Sequence, residues 1–359
     1  MNNYNSSLGF VNISNLANYL KRDNQILTWT VSVLITSICG ALANVLLLLT
    51  LILHKPLRQS SSSSLIIHTV CLDLYICAFA VPVSAIPIYL GPRYELPWWV
   101  CRFQSLYIDV VYHTEIYAAT MLAFHRLIAT VSSRLFVRMT TKTAIVWMIA
   151  LPWVIAMVNN LLPAVGRMGF RMVDNHSGGG CTFAYSGRGV TFALAYTVLG
   201  VYIPTAVMGA SYALFLLKTC CHHSGPQKSS RVRRRRLELS RTMLILFVWH
   251  CVSLYPISIM VGVFPQLYLF ASLEIQLAVK FLNYSCSAVN PVFCWCSSKL
   301  FQDGTLEVLR EMRRFRCRQR RKGTVAPDFA GQDASVGVVT CGATSQRNDQ
   351  MEPTVRNRH

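Results

Sequence analysis

Residues 64–90 read SLIIHTVCLDLYICAFAVPVSAIPIYL. The stretch is apolar almost throughout and carries one charged side chain, Asp73. A helix needs about 20 apolar residues to cross the hydrocarbon core of a bilayer, because every backbone group there must find its partner inside the protein. This stretch is long enough. Its prolines, Pro82 and Pro87, are tolerated in lipid because neighbouring helices re-satisfy the freed carbonyls, and each marks a kink. Outward from Ser64–Leu90, six further segments have the same character: Ile26–Leu53, Trp99–Val131, Thr143–Pro163, Val190–Leu217, Leu237–Phe264 and Ala271–Trp295. The fold class expected is an all-α membrane protein, a seven-transmembrane helix bundle over residues 26–298.

Composition agrees. The 359 residues are 53% hydrophobic and 14% charged, against about a quarter charged in a soluble domain. The formal net charge of +19 would suit a nucleic-acid binder, but its densest runs, Arg231–Arg236 and Arg313–Lys322, lie beside apolar segments. Basic residues flanking spans mark cytoplasmic loops and contact anionic membrane lipid, so no nucleic-acid partner is expected. The first, third and fifth loops are the basic ones: Lys55 and Arg58, then Arg134, Arg138 and Lys142, then Lys218, Lys228 and the arginine run. The even loops are poorer in charge, although Arg167, Arg171 and Arg188 interrupt the fourth. The positive-inside rule puts the N-terminus outside and the C-terminus in the cytoplasm of a multi-pass plasma-membrane protein.

The ends read differently from the spans. Residues 1–25 form a polar extracellular segment with two glycosylation sequons, at Asn5 and Asn12, and without a signal peptide's basic start and apolar core. Residues 299–316 place Phe301, Val308, Leu309, Met312 and Phe315 near helical spacing between arginines, which predicts a short amphipathic helix on the inner membrane surface. Cys317 follows it as a palmitoylation candidate, with an ordinary thiol equally open. Residues 317–359 read as a disordered tail. Thirteen cysteines show no paired CxxC pattern for zinc. Most fall inside apolar segments, and Cys101 and Cys181 alone sit in candidate outward loops. No HExxH, Walker loop or GxSxG is present, so no enzyme, catalytic residue or metal centre is expected.

Seven spans are shared by receptors, transporters and membrane enzymes. What separates them is sparse polar residues, since an ionisable group inside the membrane is costly and functional by default. The first span carries Asn44 in Gly40-Ala41-Leu42-Ala43-Asn44-Val45, and the second carries Leu72-Asp73-Leu74. The third opens on Cys101 and ends in His125-Arg126-Leu127. The fourth has Trp147, the fifth Pro204 and Tyr212, the sixth Pro256, and the seventh Asn290-Pro291-Val292-Phe293-Cys294. Over roughly residues 26–315 this ordered set resembles the rhodopsin-like (class A) G-protein-coupled receptor family, as a divergent member.

The resemblance implies roles. Cys101 and Cys181 look like the disulfide that ties the second outer loop to the third span. Asn44, Asp73, Ser287 and Asn290, with Glu115 nearby, look like the central polar cluster that in the family often holds a sodium ion; a purely structural hydrogen-bonded group is the alternative. Arg126, with His125, Leu127 and Tyr212, looks like the surface that receives a heterotrimeric G protein, against a plain snorkelling arginine. Arrestins and receptor kinases are further partners the family implies. Several positions depart from the pattern. His125 replaces an acid, Leu127 an aromatic, His250 a phenylalanine, Leu254 a tryptophan and Cys294 a tyrosine, and Arg236 supplies no carboxylate at the start of the sixth span. With the kinks at Pro204, Pro256 and Pro291, these residues make up the activation switch. Their changes predict atypical coupling, either elevated basal activity or weak activation.

The family's ligand enters between the third, fifth, sixth and seventh spans, which here offer Asp109, Tyr112, His113, Lys280 and Tyr284. The amine-receptor aspartate would fall at Ile108, and one residue turns a helix by about 100°, so an amine ligand is disfavoured. Tyr284 stands where opsins carry the retinal lysine. Lys280 is either half of a buried bridge to Asp109 or Glu115, or an anchor for an acidic ligand group. The leading reading is a receptor for an unknown extracellular ligand that activates a G protein. A non-coupling decoy or heteromer partner is the alternative, and a transporter or channel would need a polar file or inverted halves that the sequence lacks.

Overall fold

The computed structural model describes residues 13–91, 96–166, 169–174, 180–221 and 230–323. At 13–21, 219–221, 230–240, 269 and 315–323 the backbone alone is described. The sequons at Asn5 and Asn12, the Cys317 side chain and the tail beyond residue 323 therefore lie outside the described residues.

Helix dominates. Five helices are each long and apolar enough to cross a membrane: Arg22–Leu53, Ser63–Leu90, Lys142–Val165, Gly189–Lys218 and Arg241–Val263. The other two spans fall short for identifiable reasons. The third, Trp98–Gln104 continued by Ser105–Asp109 and Val110–Val131, is diluted by Asp109, His113, Glu115, His125 and Arg126. The seventh is divided at Ser285 into Leu273–Tyr284 and Cys286–Ser297. All seven expected spans are thus helical, with shifted edges. The first helix begins at Ile13 rather than at residue 26. The amphipathic helix runs Lys299–Gly323 rather than stopping at 316.

The third span is the hub, packing on the second, fourth and fifth, while the first packs on the second and seventh and the sixth on the seventh. Large apolar side chains such as Leu42 at 66% exposed and Ile38 at 60% point outward, as lipid-facing positions should. Inside, one cluster gathers Trp29, Val33, Ile76, Val81 and Val111, another Leu51, Leu65, Leu122, Tyr212 and Met243. Along the first and second spans, the polar positions Asn44 and Asp73 fall where the two clusters meet.

Four spans contain a π-helical turn, at Ile76–Ala80, Ser105–Asp109, Val198–Tyr202 and Ile259–Val263. Three lie beside prolines, Pro82, Pro204 and Pro256, which cannot donate to the helical ladder. The turn in the third span has no such proline and carries Asp109 itself. Close approach between the first and seventh spans depends on Gly40, where a Cβ would sit 2.5 Å from the Ala288 Cβ. The Trp29 indole seals the same seam, donating to the Leu277 carbonyl at 2.7 Å.

One end of the bundle is capped by a hairpin of two strands, β1 (Phe170–Asp174) and β2 (Cys181–Tyr185), antiparallel with Phe170 opposite Tyr185 and Asp174 opposite Cys181. The disulfide Cys101–Cys181 fastens it to the third span. At the opposite end a short helix, Ser133–Met139, follows the third span, with the Ser132 hydroxyl capping the Leu135 amide. There too the amphipathic helix buries Phe301 in the cluster with Leu47 and Leu51 of the first span, and His54 Nδ1 meets Glu307 Oε2 at 2.7 Å. Gly304 makes room for Thr50 and His54. Residues of this helix up to Met312 belong to the main unit; a second unit, 313–359, is described only as helix to Gly323.

The fourth span carries two tryptophans that face different ways. Trp147 is 66% exposed and faces away from the bundle. Trp153 is the tryptophan that turns inward, its indole donating to His68 Nε2 at 3.0 Å. Six residues on a helix rotate the side chain by about 240°, so only one of the two can face the second span.

Gly40→Val places two methyl groups where Ala288 already stands. Overpacking of this kind costs about 1–3 kcal/mol, so the purified variant should unfold at a clearly lower temperature than Gly40→Ser, measured by thermal denaturation in detergent.

Candidate functional site

Beneath the hairpin lies a cavity of about 240 Å³. All five residues picked from the sequence, Asp109, Tyr112, His113, Lys280 and Tyr284, line it, as do Leu254 of the sixth span and Phe183 of β2. Ile108 lines it as well and is 2% exposed. The offset expected from a straight helix therefore does not remove Asp109 from the cavity. The π-helical turn Ser105–Asp109 inserts an extra residue, and one residue is worth about 100° of rotation.

His113 is committed to the protein. Its Nδ1 accepts from Asn160 Nδ2 at 2.8 Å and from Asn159 Nδ2 at 3.4 Å. The Tyr196 hydroxyl donates to Asn160 Oδ1 at 2.8 Å, and its ring meets the imidazole edge-on at 4.9 Å between centroids. Gly200 of the fifth span leaves room for the imidazole, which a Cβ there would strike. Third, fourth and fifth spans are thus tied by one polar network. The sequence reading passed over Asn159, Asn160 and Tyr196. Its signal was present, since adjacent amides in an apolar span are costly unless both find partners.

The two charges of the cavity are handled differently. The Tyr196 phenol lies between Asn160 and the Asp109 carboxylate, and Asp109 Oδ2 is left buried without a hydrogen-bond donor. The Tyr112 hydroxyl is likewise buried without a partner. Lys280 makes no ion pair among the described residues. The bridge from Lys280 to Asp109 or Glu115, one of two alternatives at the sequence level, is not formed.

Deeper in the bundle, the polar cluster divides in two. Asn290 Nδ2 donates to both oxygens of Asp73, at 3.0 and 3.2 Å. Asn44 Nδ2 instead donates to the carbonyls of Gly40 at 3.0 Å and Ser287 at 3.1 Å, holding the first span to the seventh. Asp73, Glu115, Asn290 and His250 line a second cavity of about 70 Å³. Asn44 Oδ1 is a buried oxygen without a hydrogen-bond partner, and the Ser287 side chain lies toward Asp73. Asp73 and Glu115 share the cavity, whereas Asn44 and Ser287 are not among its lining residues.

At the end opposite the hairpin, His125 is fully buried and its Nδ1 lies 3.0 Å from Ser62 Oγ. Its ring packs 5.3 Å from Phe136 of the short helix. Tyr212, also buried, stacks against Phe247 at 5.7 Å.

Residues 43–293 match the model of the seven-transmembrane receptor (rhodopsin) family. The chain belongs to that family. The receptor is 26% identical to the allatostatin-A receptor of Bombyx mori over 71% of its own length and 72% of the relative's. It is 23% identical to a galanin-like G-protein coupled receptor of Caenorhabditis elegans, over 70% of its own length and 66% of that protein's.

The receptor's departures from the family pattern have structural counterparts. Leu254, in the expected tryptophan position, lines the hairpin-end cavity. The tryptophan of the sixth span is Trp249, which donates to the Cys286 carbonyl at 3.2 Å and meets the Phe293 ring at 5.7 Å. His250 packs its Nδ1 3.7 Å from Cys286 Sγ, while its Nε2 is buried without a partner. Cys294 is buried and too short to reach as a tyrosine would. Ser62 was not singled out in the sequence because a run of five serines, Ser60–Ser64, gives no sign of which one turns inward.

Asn160→Ala removes a donor to His113 and the acceptor of Tyr196 together. An unsatisfied buried polar group costs about 1–3 kcal/mol, so this variant should lose more thermal stability than Trp153→Phe, which breaks one bond to His68. A scan of both proteins in detergent checks the order.

Proposed function

We propose that this receptor binds an extracellular peptide in the hairpin-end cavity and catalyses nucleotide exchange on a heterotrimeric G protein at the Arg126 end. The observation that carries the reading is the cavity beneath the disulfide-anchored hairpin, with charged and phenolic groups turned into it. One relative is named an allatostatin-A receptor and the other a galanin-like G-protein coupled receptor, which supports a peptide. The basic loops flank the Arg126 end, which supports a plasma-membrane orientation with the N-terminus outside and the C-terminus in the cytoplasm. Arrestins, receptor kinases and inner-leaflet lipid are further partners of that face. Asp73 and Glu115 would hold a sodium ion, whose charge would offset the buried carboxylates.

Coupling is atypical in this reading. A carboxylate before Arg126 would restrain it through a charge-assisted bond. His125 instead makes a neutral hydrogen bond to Ser62, so the resting state is held more weakly and basal signalling is raised. The altered residues His250, Leu254 and Cys294 favour a second reading, a receptor that binds without coupling.

Constitutive second-messenger output at matched surface expression separates the two. Arg126→Ala should remove the basal signal. Ser62→Ala should raise it about fivefold, the effect of losing a bond worth about 1 kcal/mol in a two-state balance. A silent wild type with a full agonist response would overturn the raised basal activity. Silence in every G-protein class would favour the non-coupling receptor.

A further inference from the structure

The hairpin-end cavity holds two opposite charges that do not use each other. Asp109 descends from the third span and Lys280 from the seventh, and both line the space. Neither has an ion pair among the described residues. Asp109 Oδ2 and the Tyr112 hydroxyl are buried without partners, and three residues along a helix put them on one face. His113 cannot serve the aspartate, because its Nδ1 is taken by Asn160, and the Tyr196 phenol, shared between Asn160 and the carboxylate, still leaves Oδ2 without a donor. The protein has thus left Asp109 Oδ2 and the Tyr112 hydroxyl without a donor or acceptor, and both charges without a counter-charge.

We infer that the ligand end entering this cavity is dipolar, with a basic group for Asp109 and Tyr112 and an acidic group for Lys280. An apolar or singly charged ligand would close over at least one buried charge and leave it unpaired, which is the most costly arrangement available. Removing the ligand's basic group or neutralising Asp109 should therefore weaken binding by similar factors, and likewise for its acidic group and Lys280. The surrounding walls, including Phe183, Tyr268 and Tyr284, suit an aromatic or aliphatic side chain between the two. This inference rests on the peptide-receptor reading and specifies its ligand.

The test uses the full chain, purified in detergent, and four end-capped tetrapeptide pools on one aromatic scaffold. One pool carries arginine and glutamate, one arginine alone, one glutamate alone and one neither. The thermal midpoint at millimolar peptide reports binding. The doubly charged pool should bind at least tenfold more tightly than the others. Asp109→Asn should abolish the advantage of the arginine and Lys280→Gln that of the glutamate. Without peptide, each variant should keep or raise the midpoint and the double variant should be additive. Loss in each single variant with recovery in the double would show a mutual bridge and overturn the inference. So would equal binding of the neutral pool, unchanged selectivity in the variants, or no shift with any pool. The same pools in a cellular G-protein assay separate this inference from coupling. Stabilisation without signal leaves the dipolar site standing and defeats the coupling reading, whereas signalling by the neutral pool does the reverse.

Discussion

Polar groups inside a bilayer have no water to turn to, so each must be satisfied by another part of the bundle, by a ligand or by an ion. The third span concentrates this constraint. It carries Asp109, Tyr112, His113, Glu115, His125 and Arg126 and packs against the second, fourth and fifth spans. The partners it recruits explain much of the structure: Asn159, Asn160 and Tyr196 gather around His113, and Ser62 meets His125. The same span sits at the centre of the packing and lines both cavities.

Satisfaction is uneven along its length, and the unevenness maps onto function. Around His113 most of the polar groups are paired, Asn159 Oδ1 excepted, and the network serves as a joint between three spans. Above it, Asp109 and Tyr112 remain open toward the hairpin-end cavity. Below it, Glu115 shares a small cavity with Asp73 while Asn290 holds the latter. A joint between two open polar regions is a suitable arrangement for transmitting a change at one of them to the other, because packed helices shift between discrete arrangements and do not deform continuously.

Prolines and π-helical turns decide where the open groups point. Asp109 and Ile108, adjacent in the π-helical turn of the third span, both line the cavity. The sixth span approaches the seventh through Trp249 and His250, with Leu254 left to line the cavity. The switch region is therefore rearranged around different side chains from those of the family pattern, which explains why reading that pattern position by position located the altered residues without showing what replaces them.

The amino-acid sequence by itself determined the seven spans, the amphipathic helix after them and the polar landmarks that mark the family. These follow from composition along the chain, since the cost of a charge in lipid is paid residue by residue. It also named the five pocket residues and the disulfide cysteines. What only the tertiary structure decided is which polar groups meet. Trp153 rather than Trp147 faces His68, Asn160 holds His113, Ser62 finds His125, and Lys280 does not bridge to Asp109. In water an amphipathic pattern fixes how a helix is rotated about its axis. A span that is apolar on every side carries no such mark, so its rotation is set by kinks, widened turns and close contacts such as Gly40 against Ala288, none of which composition reveals.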